Sequence, residues 1–314
     1  SKMMRQFHII DYNSKDNVTL GENSLDENRD YKAYYNLQVL LTYQKQIKNH
    51  SIDILAGYQQ ENEKSDWISA YRDGFPTDLV HVLTGGSQDN WSNDGNGNHW
   101  AIASFLGRIN YDYQSKYLAE VSFRYDGSSK FAKGHRWGFF PSASVGYRIS
   151  EEKFIKELDE LSFITNWKLR ASYGVMGDDG SSSYQYLSGY DYPGASYVFG
   201  NVVNKGLGFR GIPNELITWY KSKTLNVGTD LELWDGLLSA QVDFFWRYRD
   251  GLLAKRSGEI PGTLGAELPE ENMNQDLYKG FEIVLGHRNR INDFNYSVNL
   301  NFALTRRLNR RLQE

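Results

Sequence analysis

The feature that most constrains this chain is a long alternation of apolar and polar side chains, repeated many times. Phe294, Tyr296, Val298, Leu300, Phe302 and Leu304 are separated by Asn295, Ser297, Asn299 and Asn301. Leu238, Ala240, Val242, Phe244, Trp246 and Tyr248 are interleaved with Ser239, Gln241, Asp243, Phe245 and Arg247. Successive side chains of a β-strand point to opposite faces, so a period of two reads as a strand with one apolar and one mostly polar face. The pattern also runs through residues 33–44, 117–126, 137–149 and 225–233. Weaker versions occupy 3–12, 51–61, 100–113, 165–175 and 278–288. It predicts about eleven strands.

These strands are long. Globular strands average about five or six residues, whereas a strand that crosses a bilayer needs about 9–11. Aromatic residues close the apolar faces: Tyr35 and Tyr43, Tyr117 and Tyr125, Trp137 and Tyr147. Tyr and Trp favour the membrane–water boundary, where one end of the ring system is apolar and the other is wet. The chain carries 22 Tyr, 16 Phe and 8 Trp, yet only 40% of its residues are hydrophobic. A membrane barrel reconciles the two, because each strand turns one face to lipid and the other to water. No segment approaches the roughly 20 apolar residues of a spanning helix.

The connections alternate in length. Gln46–His50, Gln114–Lys116, Trp234–Gly236 and Arg290–Asp293 are short. Asn13–Asp30, Glu61–His99, Met176–Leu216 and Asp250–Leu277 are long, Gly127–Arg136 is intermediate, and Ser150–Phe163 suggests a short amphipathic helical turn. Short turns on one side and long loops on the other match an antiparallel up-and-down outer-membrane barrel. The competing architecture is a soluble all-β protein, whose aromatics would be core residues. The absence of a fixed repeat disfavours propellers and solenoids.

Other function classes find little support. The net charge is −4 without a basic stripe, so nucleic acid is not an expected partner. There is no cysteine, hence no disulfide framework or Cys-based metal site. The N-terminus, SKMMRQFHII, lacks the pattern of a signal peptide. The six histidines fall in no metalloprotease spacing, and no Gly-x-Ser-x-Gly elbow occurs, so an enzyme is not expected.

Three blocks carry a family resemblance. FRYDGSSKFAKGHRWGFFPSASVGYRISEEKF (Phe123 to Phe154) resembles a hallmark segment of the SusC/RagA family of TonB-dependent outer-membrane transporters of Bacteroidetes. NELITWYKSKTLNVGTDLELWDGLLSAQVDFFWRYRDGLL (Asn214 to Leu253) and LYKGFEIVLGHRN (Leu277 to Asn289) follow in family order. The resemblance covers most of the chain from about Trp100; the first 99 residues fit only in strand pattern. It implies a barrel of roughly 22 strands around an N-terminal plug. It also implies a SusD-like surface lipoprotein as lid, a TonB complex acting through the plug, and active import of large nutrients, with oligosaccharides expected and peptides as the alternative. A soluble secreted glycan-binding β-protein is the remaining alternative. Residues 1–314 show about half the expected strands and no recognisable plug. An odd strand count would leave unpaired edges in lipid, so the chain reads as an internal portion of a longer barrel.

The residues then suggest sites. Oligosaccharides are held by aromatic rings against their C–H faces and by polar groups at their hydroxyls. Trp67, Tyr71, Trp91 and Trp100 lie in or beside one long loop, and Tyr184, Tyr186 and Tyr190 in another, with Tyr192 and Tyr197 near them. All could instead pack against a lid. Arg108, Asp112, Glu120, Arg124, Arg148, Arg170 and Arg247 fall on polar faces and are expected to face the lumen or a plug. No cofactor is expected. In the Asp/Asn/Gly-rich stretch Ser87 to Trp100, the side-chain oxygens of Asp89, Asn93, Asp94 and Asn96 are candidate Ca2+ ligands, without EF-hand spacing.

Overall fold

The computed structural model describes residues 2–8, 22–256 and 268–311. Eleven antiparallel strands form one sheet whose order follows the chain, apart from a separate two-stranded hairpin inserted after the seventh strand. The strands are β1 (Lys2–His8), β2 (Ser24–Ile47), β3 (His50–Arg72), β4 (Trp91–Tyr113), β5 (Tyr117–Ser128), β6 (Trp137–Arg148) and β7 (Ile164–Asp178). The hairpin is β8 (Tyr190–Phe199) and β9 (Val202–Phe209). The sheet continues with β10 (Tyr220–Leu233), β11 (Leu238–Lys255), β12 (Glu270–Ile291) and β13 (Phe294–Arg311). Contacts divide the chain into Ser1–Leu37 with Gln60–Ala101, and Gln38–Gln59 with Ile102–Glu314. Strands β2, β3 and β4 run through both units.

The eleven expected strands are all present, but several are much longer than their alternation indicated. β3 continues to Arg72 and β4 begins at Trp91, so most of the expected loop Glu61–His99 is strand. β2 begins at Ser24, inside the expected loop Asn13–Asp30, of which 13–21 lie outside the described residues. β11 runs to Lys255 and β12 starts at Glu270, which shortens the expected loop Asp250–Leu277 from both ends. Of the expected strand 3–12, residues 9–12 also lie outside the described ones. The expected loop Met176–Leu216 contains the β8–β9 hairpin. The physical reason is common to these cases. Outside the bilayer both faces of a strand meet water, so apolar alternation disappears while backbone pairing continues.

The short connections are sharp turns. Gln114 and Ser115 both take left-handed φ values, 57° and 56°, and Lys116 N–H closes the turn on the Tyr113 carbonyl at 3.0 Å. This is the primed turn geometry that suits the twist of a hairpin. The connection from β6 to β7 contains a short α-helix, α1 (Lys153–Lys156), between two 3-10 turns, as its amphipathic pattern suggested.

Side-chain exposure runs opposite to that of a soluble fold. Leu41 is 73% exposed, Leu300 64% and Val121 57%, each on the apolar side of its strand. Among the described residues no second sheet is large enough to cover this face. Exposed apolar stripes of this extent belong against lipid. Rings gather at two levels of the stripe in the second unit. Near the short turns, Tyr117 stacks on Tyr147 at 5.3 Å and lies 6.2 Å from Tyr113. Further along, Trp137 stacks on Tyr125 at 4.8 Å and on Phe105 at 6.1 Å. Tyr117 and Tyr125 are separated by about 26 Å of strand, which, once tilted, suits the apolar band of an outer-membrane barrel.

Among the described residues, a buried apolar cluster drawn from several elements lies at the long-loop end. Phe131, Phe140, Ile217 and Trp219 pack together, with Val175 and Leu253 against them. Trp219 donates its indole N–H to the Arg136 carbonyl at 2.7 Å, and Thr218 donates its hydroxyl to the His135 carbonyl at 2.9 Å. The segment between β5 and β6 is therefore a folded element with its own core, rather than a simple polar turn.

Candidate functional site

The polar faces of the strands form the candidate site. In the second unit, cross-strand pairing places Asp112, Leu118, Gly146, Arg170, Gly228, Asp243 and Glu282 in one row across β4 to β12. Arg170 ties this row together. It donates Nη1 and Nη2 to the two carboxylate oxygens of Asp243, each at 2.6 Å, and Nε to Asp230 at 3.0 Å. Beside it a cleft of about 530 Å3 is lined by Asp53, Asp112, Glu120, Ser144, Lys168, Arg170 and Asn226.

A second assembly stands on β11 to β13. Asp276, 1% exposed, accepts from Arg249 Nε at 2.8 Å and Nη2 at 2.5 Å, and from Arg307 Nε at 3.1 Å. Composition did not point to it: neither Asp276 nor Arg307 was among the candidate residues, and only its cross-strand register joins them. A third lies on β4 and β5, where Arg124 bonds Ser104 at 3.1 Å and Asp126 at 3.2 Å.

In the first unit, the Tyr34 hydroxyl donates to Glu61 at 2.8 Å and the Tyr34 ring lies 6.5 Å from that of Trp100. Lys32 pairs with Glu63 at 2.8 Å. Trp67 and Tyr71 are on the same side of β3 as Glu61 and Glu63, by alternation along the strand. Aromatic rings and carboxylates thus share one surface, although Tyr34 was not among the expected sugar-binding residues. Of the expected ones, Trp67, Tyr71, Trp91 and Trp100 lie on strands rather than in a loop, and Trp91 is on the opposite side of β4 from Trp100.

In the second unit, Tyr184 and Tyr186 meet edge to face at 6.2 Å in the long loop, and Tyr190 opens β8 with its ring 6.4 Å from Phe209. Tyr184 borders a polar cleft of about 450 Å3 with Ser182, Gln185, Arg210 and Glu270. Tyr192 and Tyr197 stand exposed on β8.

The remaining expected lumen residues are spread over the polar faces. Asp112 caps the turn by accepting from Ser115 N–H at 2.7 Å. Glu120 lines the 530 Å3 cleft. Arg108 is exposed on β4. The Nε of Arg148 is buried without a hydrogen-bond partner. Arg247 pairs across the strands with Thr224 and Tyr278. The candidate Ca2+ ligands do not sit together in a loop. Asn93, Asp94 and Asn96 belong to β4, Asp94 and Asn96 accept from the N–H of the following glycine at 2.8 Å, and Asp89 donates its backbone N–H to Ser87 Oγ in the preceding loop at 3.1 Å. Among the described residues no group of three or more His, Cys, Asp or Glu is placed to hold a metal.

At the short-turn end, outside the membrane-spanning segments, Glu152 gathers three donors. Lys116 reaches it at 3.0 Å, Tyr117 at 3.0 Å and Tyr147 at 3.2 Å. The hydrogen bond from Lys116 lowers the Glu152 carboxyl below its usual range, and the same bond raises Lys116.

Comparison with known proteins agrees with this architecture. Residues 5–312 match the family described as TonB dependent receptor-like, beta-barrel. TonB-dependent receptor P3 of Formosa agariphila is 32% identical over 84% of this chain and 26% of its own length. TonB-dependent receptor SusC of Bacteroides thetaiotaomicron is 26% identical over 91% of the chain and 28% of its own. The chain thus spans about a quarter of the length of these curated relatives. The structure of the RagAB peptide transporter superposes with a TM-score of 0.81 at 23% identity, over 99% of this chain and 33% of that one. A row of lipid-facing stripes, polar opposite faces and sorted loops, matched along nearly its whole length, makes this chain outer-membrane barrel wall of the TonB-dependent receptor-like β-barrel family, of the SusC/RagA type.

Proposed function

We propose that this chain is part of the wall of an active importer that carries large nutrients, oligosaccharides foremost, across the outer membrane. Transport would be energised by a TonB complex acting through a plug, and a SusD-like surface lipoprotein would close over the long loops. The observation that carries the oligosaccharide reading is the grouping of Tyr34, Trp100 and Glu61, with Trp67 and Tyr71 on the same side of β3 as Glu61. Flat rings cover the apolar faces of a sugar while carboxylates accept from its hydroxyls.

The test is uptake and binding by the full-length transporter carrying Tyr34→Ala and Trp100→Ala together. The expected result is a loss of oligosaccharide binding of about tenfold or more, the scale of one or two lost stacking contacts. Undiminished binding in a correctly inserted variant would sink this reading. A second reading, peptide import, is supported by the fold match to a protein described as the RagAB peptide transporter. Competition between defined oligosaccharides and peptides for uptake separates the two, and peptide-only competition would select the second.

A further inference from the structure

We propose that Arg247, Arg249 and Arg307 form an oxyanion site on the polar face of β11 to β13 that takes a carboxylate of an acidic oligosaccharide. The inference rests on the import reading and narrows its substrate class. It starts from a charge imbalance. One buried carboxylate, Asp276, is held by two guanidiniums, those of Arg249 and Arg307. Both also lie over the ring of Tyr278, at 4.8 Å and 5.8 Å from its centroid, and Arg249 Nη2 donates to the Tyr278 hydroxyl at 3.1 Å.

Arg247 adds a third cation to the same face, since Arg247, Tyr278 and Arg307 are direct cross-strand neighbours. Among the described residues Arg247 has no ion-pair or hydrogen-bond partner, and about half of the Arg307 side chain is exposed. The patch therefore carries three positive charges against one negative, with the cations at its two flanks open. Arginine's planar fork matches a carboxylate in a two-bond contact. Asp276 and Tyr278 hold Arg249 and Arg307 in place beforehand, which reduces the ordering cost of binding. Ser222, across the strand from Arg249, keeps a buried hydroxyl without a hydrogen-bond partner.

The height of the patch fits cargo arriving from outside. Tyr278 stands about thirteen residues from the short turn that follows Ile291, beyond the roughly 9–11 residues that cross the bilayer. It therefore belongs to the long-loop side of the strand.

The experiment measures binding of an oligogalacturonate and of a neutral malto-oligosaccharide of equal length to the full-length detergent-solubilised transporter, at low and high salt. The acidic ligand is expected to bind more tightly and to weaken with salt, while the neutral one is insensitive to salt. Arg247→Gln should weaken the acidic ligand alone, by about tenfold or more. Because Arg247 holds no partner, this variant should fold, and heat-modifiable mobility on gels checks that it does. Arg307→Gln, which leaves Asp276 held by Arg249, should act in the same direction. If the neutral ligand binds and is imported while the acidic one gains nothing, the site is overturned and the import reading survives. If neither saccharide binds, the oligosaccharide reading falls with it. Binding of an acidic peptide in place of the acidic saccharide also overturns the proposal.

Discussion

Arg170 on β7 grips both carboxylate oxygens of Asp243 on β11 at 2.6 Å, reaching across the intervening strand β10. The residue between them in the cross-strand row is Gly228. A Cβ at that position would stand 2.6 Å from Asp243 Oδ1 and 3.0 Å from Arg170 Cζ. The glycine is what lets one guanidinium bridge three strands.

Gly228→Val should therefore break the bridge and destabilise the barrel by about 1–3 kcal/mol, the usual range for a lost partly buried pair with crowding. Denaturant unfolding in detergent, with Arg170→Gln as a reference, checks this. If the bridge is the cause, the two substitutions together should cost clearly less than their sum.

The Phe131 cluster predicts a local effect. Phe131 is 1% exposed, and Phe131→Ala should cost the loop core about 3–5 kcal/mol. Because this core belongs to the long-loop end, the expected readout is faster proteolytic cleavage between β5 and β6 with the transmembrane strands still protected. Equal cleavage rates in the variant and the parent would contradict the packing described.

The two faces of β5 should tolerate charge unequally. Val121→Arg places a guanidinium on the lipid side and is expected to cost about 2–4 kcal/mol near the midplane. Ser122→Arg, one residue on, faces the polar side and should cost far less. Folding yields into lipid vesicles measure both, and a reversed order would refute the assignment of faces.

Glu152 predicts a pH dependence at the short-turn end. Its folded carboxyl is lowered, chiefly by the hydrogen bond from Lys116. Its contribution to stability is thus complete above the ordinary carboxylate range and is lost as pH falls through the lowered folded value. Lys116 is raised by the same bond, so its contribution is complete below the ordinary lysine range and is lost as pH rises through the raised folded value. Glu152→Gln should remove the acid-side loss, as read by unfolding midpoints across acidic pH.

Much of the wall is legible in the sequence. Tyr35 to Tyr43, Tyr117 to Tyr125 and Phe294 to Leu304 announce strands, because lipid on one side and water on the other imposes a strict contrast between neighbours. The turns at Gln114 and Trp234 were legible because they interrupt that contrast. Arg170, Arg124 and Arg247 fall on polar faces by alternation, but the partners of Arg170 and Arg124 do not follow from it.

By itself, then, the sequence determined the strand alternation, the antiparallel barrel class, the sorting of short and long connections, and the family. Only the tertiary structure decided how far the strands run past the bilayer, as in Asn62 to Arg72 of β3, where both faces are wet and the periodic signal vanishes. It alone showed the β8–β9 hairpin, the core built on Phe131 and Trp219, and the joining of Arg249, Asp276 and Arg307. Period two reports which face a residue occupies. Which residue it meets on that face depends on the register between strands, and that is settled by hydrogen bonds between segments distant in the chain.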